Sequence, residues 1–92
     1  MASLFIEYPI NTDADSCRKT IDELMLKLQE KYGLQHNRLD EVTCRIEGSG
    51  VSGQIDQNDD HIIIEASLGF FMMPMKSLIE SEIIKQLDES FE

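Results

Sequence analysis

Few residues in this chain have the types that chemistry requires. His36 and His61 are the only imidazoles and Cys17 and Cys44 the only thiols. Each histidine could act as acid, base or metal ligand. A zinc site, however, needs at least three converging protein ligands, and these four positions show neither C-x-x-C nor helix-spaced pairing. Cys44 falls at an inward position of an expected strand and Cys17 on the apolar face of an expected helix, where thiols behave as small hydrophobes. The run Gly48-Ser49-Gly50-Val51-Ser52-Gly53 resembles a phosphate-cradling loop in glycine content alone. No Lys-Ser/Thr follows it, and a strand comes next, so it reads as a hairpin turn. Asp56, Asp59 and Asp60 lack calcium-loop spacing and read as solvated turn acids. Glu80, Glu82 and Glu89 read as a solvated helix face supported by Lys76 and Lys85. The sequence therefore predicts no catalytic residue, no metal and no cofactor.

The elements around these residues follow from apolar periodicity. Residues 4–8 alternate, with Leu4, Ile6 and Tyr8 on one face and Phe5 and Glu7 on the other, and Pro9 limits further pairing. Thr12 is expected to cap a helix that carries Asp13 and Asp15 in its first turn and runs to about Tyr32. Its stripe is Cys17, Ile21, Leu24, Met25, Leu28 and Tyr32, and Gly33 supplies a left-handed stop. The period then changes to two. Strands are expected over 34–39, 42–47 (Val42, Cys44 and Ile46 inward), 51–57 (Val51, Gly53 and Ile55 inward) and 61–68 (Ile62, Ile64, Ala66 and Leu68 inward). Turns at Asp40-Glu41, Gly48-Ser49-Gly50 and Asn58-Asp59-Asp60 separate them. A final helix begins near Phe71, with Pro74 in its first turn, and buries Met75, Leu78, Ile79, Ile83, Leu87 and Phe91. The predicted fold is α+β, in the order β-α-β-β-β-β-α. Its mostly antiparallel five-stranded sheet carries two helices on one face, in a single domain spanning 1–92.

Composition limits the function. Eighteen acidic residues against eight basic ones give a net charge of −10, which disfavours nucleic acid and anionic lipid. No basic leader or membrane-length apolar run occurs, so a cytoplasmic protein without a membrane span is expected. One stretch exceeds what a core requires. Phe70, Phe71, Met72 and Met73 are four consecutive large apolar residues, and a helix entering there cannot turn all four inward. They are the candidate partner-binding residues. Phe5, Ile63 and Leu39 on the face away from the helices point to a second apolar surface, and so to a homodimer or to local burial.

The chain resembles a known family at Arg18 through Gly33-Leu34, at Glu47-Gly48-Ser49-Gly50-Val51-Ser52-Gly53-Gln54-Ile55 and at Leu68-Gly69-Phe70. The likeness continues through Met75-Lys76, Ile79-Glu80, Glu82-Ile83 and Leu87-Asp88. These residues look like the polyhydroxyalkanoic acid system proteins, small bacterial proteins tied to polyhydroxyalkanoate granule gene regions. The resemblance implies an accessory, granule-associated role in the cytoplasm, with no catalytic residues to carry over. Residues and resemblance together predict a non-enzymatic binding protein acting through residues 70–73 on a polyester granule or a granule protein. The alternative is a small carrier that holds an apolar, acyl-type ligand in a helix-grip-like cavity beneath the last helix.

Overall fold

A computed structural model describes residues 2–48 and 50–91, so Ser49 of the expected glycine turn lies outside the described residues. The order of elements is β1 (Ala2–Pro9), α1 (Ala14–Tyr32), β2 (Gln35–Arg38), β3 (Thr43–Gly48), β4 (Val51–Gln57), β5 (His61–Leu68), a 3₁₀ helix (Phe70–Met75) and α2 (Lys76–Phe91). The five strands form one sheet in the order β1-β5-β4-β3-β2, and every pairing is antiparallel. The N-terminal strand therefore closes onto the last strand of the meander, which occupies the second position of the sheet.

Both helices lie on one face because the inward strand positions and the helix stripes fuse into a single core. Leu4, Ile6, Cys44, Ile46, Val51, Ile55, Ile62, Ile64 and Leu68 meet Cys17, Ile21, Leu24, Met25 and Leu28 of α1 and Ile79, Ile83 and Leu87 of α2. Burial of these side chains supplies the main driving force for folding. The outer face remains open, and Ile63 there is half-buried between its register partners Glu7 and Asp56.

Four local details differ from the sequence expectation, each for a physical reason. The N-cap of α1 is Asp13, not Thr12: its carboxylate accepts the Ser16 backbone N–H at 2.7 Å. A full negative charge at the positive end of the helix outcompetes a hydroxyl one residue earlier. Val42 is not inward. The Asp40 carboxylate accepts the Val42 N–H at 2.9 Å in an Asx turn, so β3 starts at Thr43; the Val42 carbonyl still accepts the Gln57 N–H at 2.7 Å, but its side chain is exposed. The segment at Phe71 is 3₁₀ rather than α-helical. Pro74 lacks an N–H and its ring would meet the Phe70 carbonyl in an α-helix. The bonds that form instead, such as Met72 N–H to Gly69 O at 3.0 Å, span three residues. With α2 starting at Lys76, its buried ridge is Ile79, Ile83 and Leu87, and Leu78 faces solvent.

Tertiary structure also recruits polar residues. Gln57 is buried and donates from Nε2 to the Ala14 carbonyl at 2.9 Å, tying β4 to the start of α1. Glu82 is only partly exposed and accepts from Lys31 Nζ at 2.8 Å, joining α2 to α1. Gly53 marks a close approach: a Cβ there would lie 2.3 Å from the Glu65 carbonyl oxygen and 2.7 Å from the Ala66 Cβ.

Candidate functional site

The 3₁₀ helix forms one end of the molecule together with the β3–β4 turn. Gly69 donates its N–H to the Gly50 carbonyl at 2.6 Å, and Gly50 takes φ = 82°, a conformation that favours glycine. Met72 packs beside this turn, where a Cβ on Gly50 would come within 3.0 Å of the Met72 Cγ. Met72 is therefore half-buried against the core, whereas its neighbours turn outward. Phe70 is 81% exposed, Phe71 89% and Met73 40%. The two rings meet edge to face, with centroids 6.3 Å apart and planes at 84°. Edge-to-face contact holds the rings together as one unit while leaving most of their surface in water.

Electrostatics separate this end from the rest of the chain. Residues 48–55 and 66–75 contain no charged side chain, although the chain as a whole carries −10. The two segments are brought together by the β4–β5 register, which pairs Val51 with Leu68 and Gly53 with Ala66. The result is a patch without charged side chains, flanked by Glu47 and Lys76, from which the two rings project. Two phenylalanines exposed to this degree gain free energy by leaving water.

The groups with chemical capacity do not converge on this end. His61 sits at the opposite hairpin, where its Nδ1 meets the Asp60 carboxylate and its Nε2 lies 3.4 Å from Asn58 Nδ2. That hydrogen bond, and then the imidazole charge, hold the Asp60 carboxyl below its usual range. His36 is exposed on the edge strand β2. Burial pushes both the Cys17 and Cys44 thiols up, away from the reactive thiolate. Among the described residues no three His, Cys, Asp or Glu side chains are placed to hold a metal ion.

The space beneath α2, where an acyl ligand would sit, is filled by Ile62, Ile64, Leu68, Ile83 and Leu87, each 2% exposed or less. Open hollows lie elsewhere. One of about 410 Å³ on the outer sheet face is lined by Phe5, Arg45, Gln54 and Glu65 among others. Another of about 510 Å³ lies between Tyr8, Pro9 and Phe91.

Residues 5–91 match the family described as "putative polyhydroxyalkanoic acid system protein". The chain belongs to this family. No curated protein matches it. The match runs from within β1 to the end of α2, including the 3₁₀ end. Among the described residues, no helix is long and apolar enough to cross a membrane.

Sequence reasoning singled out Phe70 to Met73 as a block because four consecutive apolar residues exceed any helical stripe. It could not separate Met72 from the other three. That division follows from the 3₁₀ turn, which repeats every three residues and points Met72 and Met75 back at the core.

Proposed function

We propose that this chain is a non-catalytic accessory protein of polyhydroxyalkanoate storage in the bacterial cytoplasm, which docks on the polyester surface through Phe70, Phe71 and Met73. The observation that carries this reading is the pair of rings exposed at 81% and 89% on two adjoining segments without charged side chains in an otherwise acidic chain. A polyester offers alkyl side groups and ester carbonyls but no fixed charge. A neutral apolar tip can enter such a surface without stripping water from an ion, and the remaining acidic surface keeps the particle hydrated and dispersed. Met72, seated against the Gly50 turn, supports the tip from behind.

Burying a phenylalanine that was exposed is worth about 1.5–3 kcal/mol. Phe71→Ser should therefore weaken binding roughly ten- to a hundredfold, and Phe70→Ser nearly as much. The test is co-sedimentation with protein-free polyhydroxyalkanoate particles, using wild type, Phe70→Ser and Phe71→Ser. Both exposed sites leave the core untouched, so the variants should unfold at the wild-type temperature while losing affinity. Equal binding by all three proteins, or no binding by wild type, would remove the polyester surface as the docking target.

A further inference from the structure

The two edges of the sheet are unlike. β2 is four polar residues long, the kind of short edge that does not invite pairing. β1 is eight residues long and pairs with β5 along its whole length. No other strand pairs with its far side among the described residues. Ile10 donates its N–H to the Asp60 carbonyl at 2.9 Å, one step beyond the Pro9–His61 pair. Hydrogen-bonded pairs alternate along an antiparallel ladder. Tyr8, Ile6 and Leu4 therefore turn their backbone groups toward β5. Ser3, Phe5 and Glu7 turn theirs toward the open edge, and Pro9, next in phase, has no N–H to offer.

We infer that this edge joins a second copy of the same chain, β1 to β1, about a two-fold axis through Phe5. Antiparallel pairing centred there sets Phe5 opposite Phe5 and Ser3 opposite Glu7. All three outward residues of each copy are matched, giving about six ladder bonds, and pairing ends where Pro9 begins. Centring on Ile6 would set Pro9 opposite Ser3 and lose bonds. On the inner face the same register places Leu4 opposite Ile6, apolar against apolar. The five strands of each copy then continue into one sheet.

Side chains on both faces fit this occupant. Phe5 is 60% exposed on the outer face. On the inner side, Asp88 and Phe91 of α2 touch Tyr8. Ile84, one helical turn before Asp88 on the same face of α2, is 36% exposed. The seven residues 2–8 that pair about Phe5 span about 23 Å, and a sheet plus a helix layer is roughly 20 Å deep. The footprint is then about 460 Å² per copy, or about 900 Å² in all, close to the lower limit for a specific interface and in the range of a weak dimer. Two acidic copies repel each other, so added salt should strengthen the dimer. Because the paired strands run in opposite directions, the two 3₁₀ tips lie at opposite ends of the joined sheet.

Sedimentation equilibrium of the full chain at about 100 µM and 0.3 M NaCl, conditions that screen the charge repulsion, should show a dimer. Phe5→Pro removes the central outward N–H and the ring but no bond to β5, and should give a folded monomer. Cross-linking tests the register independently of how that variant folds. Oxidised Phe5→Cys should form disulfide dimers, because its two thiols face each other across the axis. Glu7→Cys should not, because its two copies stand about 13 Å apart along the strands. Native Cys17 and Cys44 are buried and contribute little background. A monomeric wild type, a folded Phe5→Pro that remains dimeric, or cross-linking of Glu7→Cys as fast as Phe5→Cys would overturn the inference.

Discussion

Replacing Gly53 by alanine sets two effects of opposite sign against each other, and the structure decides between them. Alanine restricts the unfolded chain, which stabilises a protein by about 0.4–1 kcal/mol where the native backbone accepts the new side chain. At Gly53 the added methyl would lie 2.3 Å from the Glu65 carbonyl oxygen, 2.7 Å from the Ala66 Cβ and 2.8 Å from its Cα. The obstacles are backbone and a Cβ, not the end of a flexible side chain. β4 and β5 would have to separate by several tenths of an ångström at a central pairing of the sheet. Overpacking of this kind costs about 1–3 kcal/mol, and the stretched ladder bonds add to it. The clash therefore outweighs the entropy gain, leaving a net loss of about 1–2 kcal/mol. For a chain of this length that lowers Tm by roughly 5–15 °C. Urea unfolding followed by circular dichroism should show a lower midpoint with an unchanged slope. A Tm equal to or above that of wild type would refute the reasoning, because it would mean that the strands are not held this close.

Two further outcomes follow from local electrostatics and burial. The hydrogen bond between Lys31 and Glu82 raises the lysine pKa and lowers that of the glutamate. The glutamate's contribution is present above its unfolded pKa and is lost as pH falls through its lower folded value. The lysine's contribution is present below its unfolded pKa and is lost as pH rises through its higher folded value. The advantage of wild type over Glu82→Gln in thermal melts should therefore be full near neutral pH and shrink both as pH falls below the ordinary glutamate range and as it rises above the ordinary lysine range; an advantage that stays the same at every pH would contradict it. Both thiols should resist a disulfide reagent in the native protein and react completely in denaturant, since burial raises their pKa. Rapid native labelling at either position would show that the core opens more readily than its packing suggests.

Much of this protein was legible in order along the chain. β4 and β5 have the bounds that their alternation predicts, and α1 ends at Gly33, whose φ of 69° supplies the left-handed stop. These features depend on neighbours two to four residues apart, so the sequence contains the whole interaction. The excess of apolar residues at 70–73 was legible for the same reason: four in a row cannot share one face of any helix.

Tertiary structure decided what depends on residues far apart. Glu82 belongs to a solvated helix face by pattern alone; only the crossing of α2 over α1 brings it to Lys31. Gln57 closes a strand in sequence, yet the fold places the Ala14 carbonyl against it and makes it a buried tie. The division of the apolar run, with Met72 inward and Phe70, Phe71 and Met73 outward, required the Gly50 turn to be seated beside it. The unpaired edge of β1 likewise became visible only when β5 was seen to take its inner side. Local periodicity determines which residues can share a face, whereas contacts across the chain determine which faces remain uncovered, and in this protein the candidate surfaces are the uncovered ones.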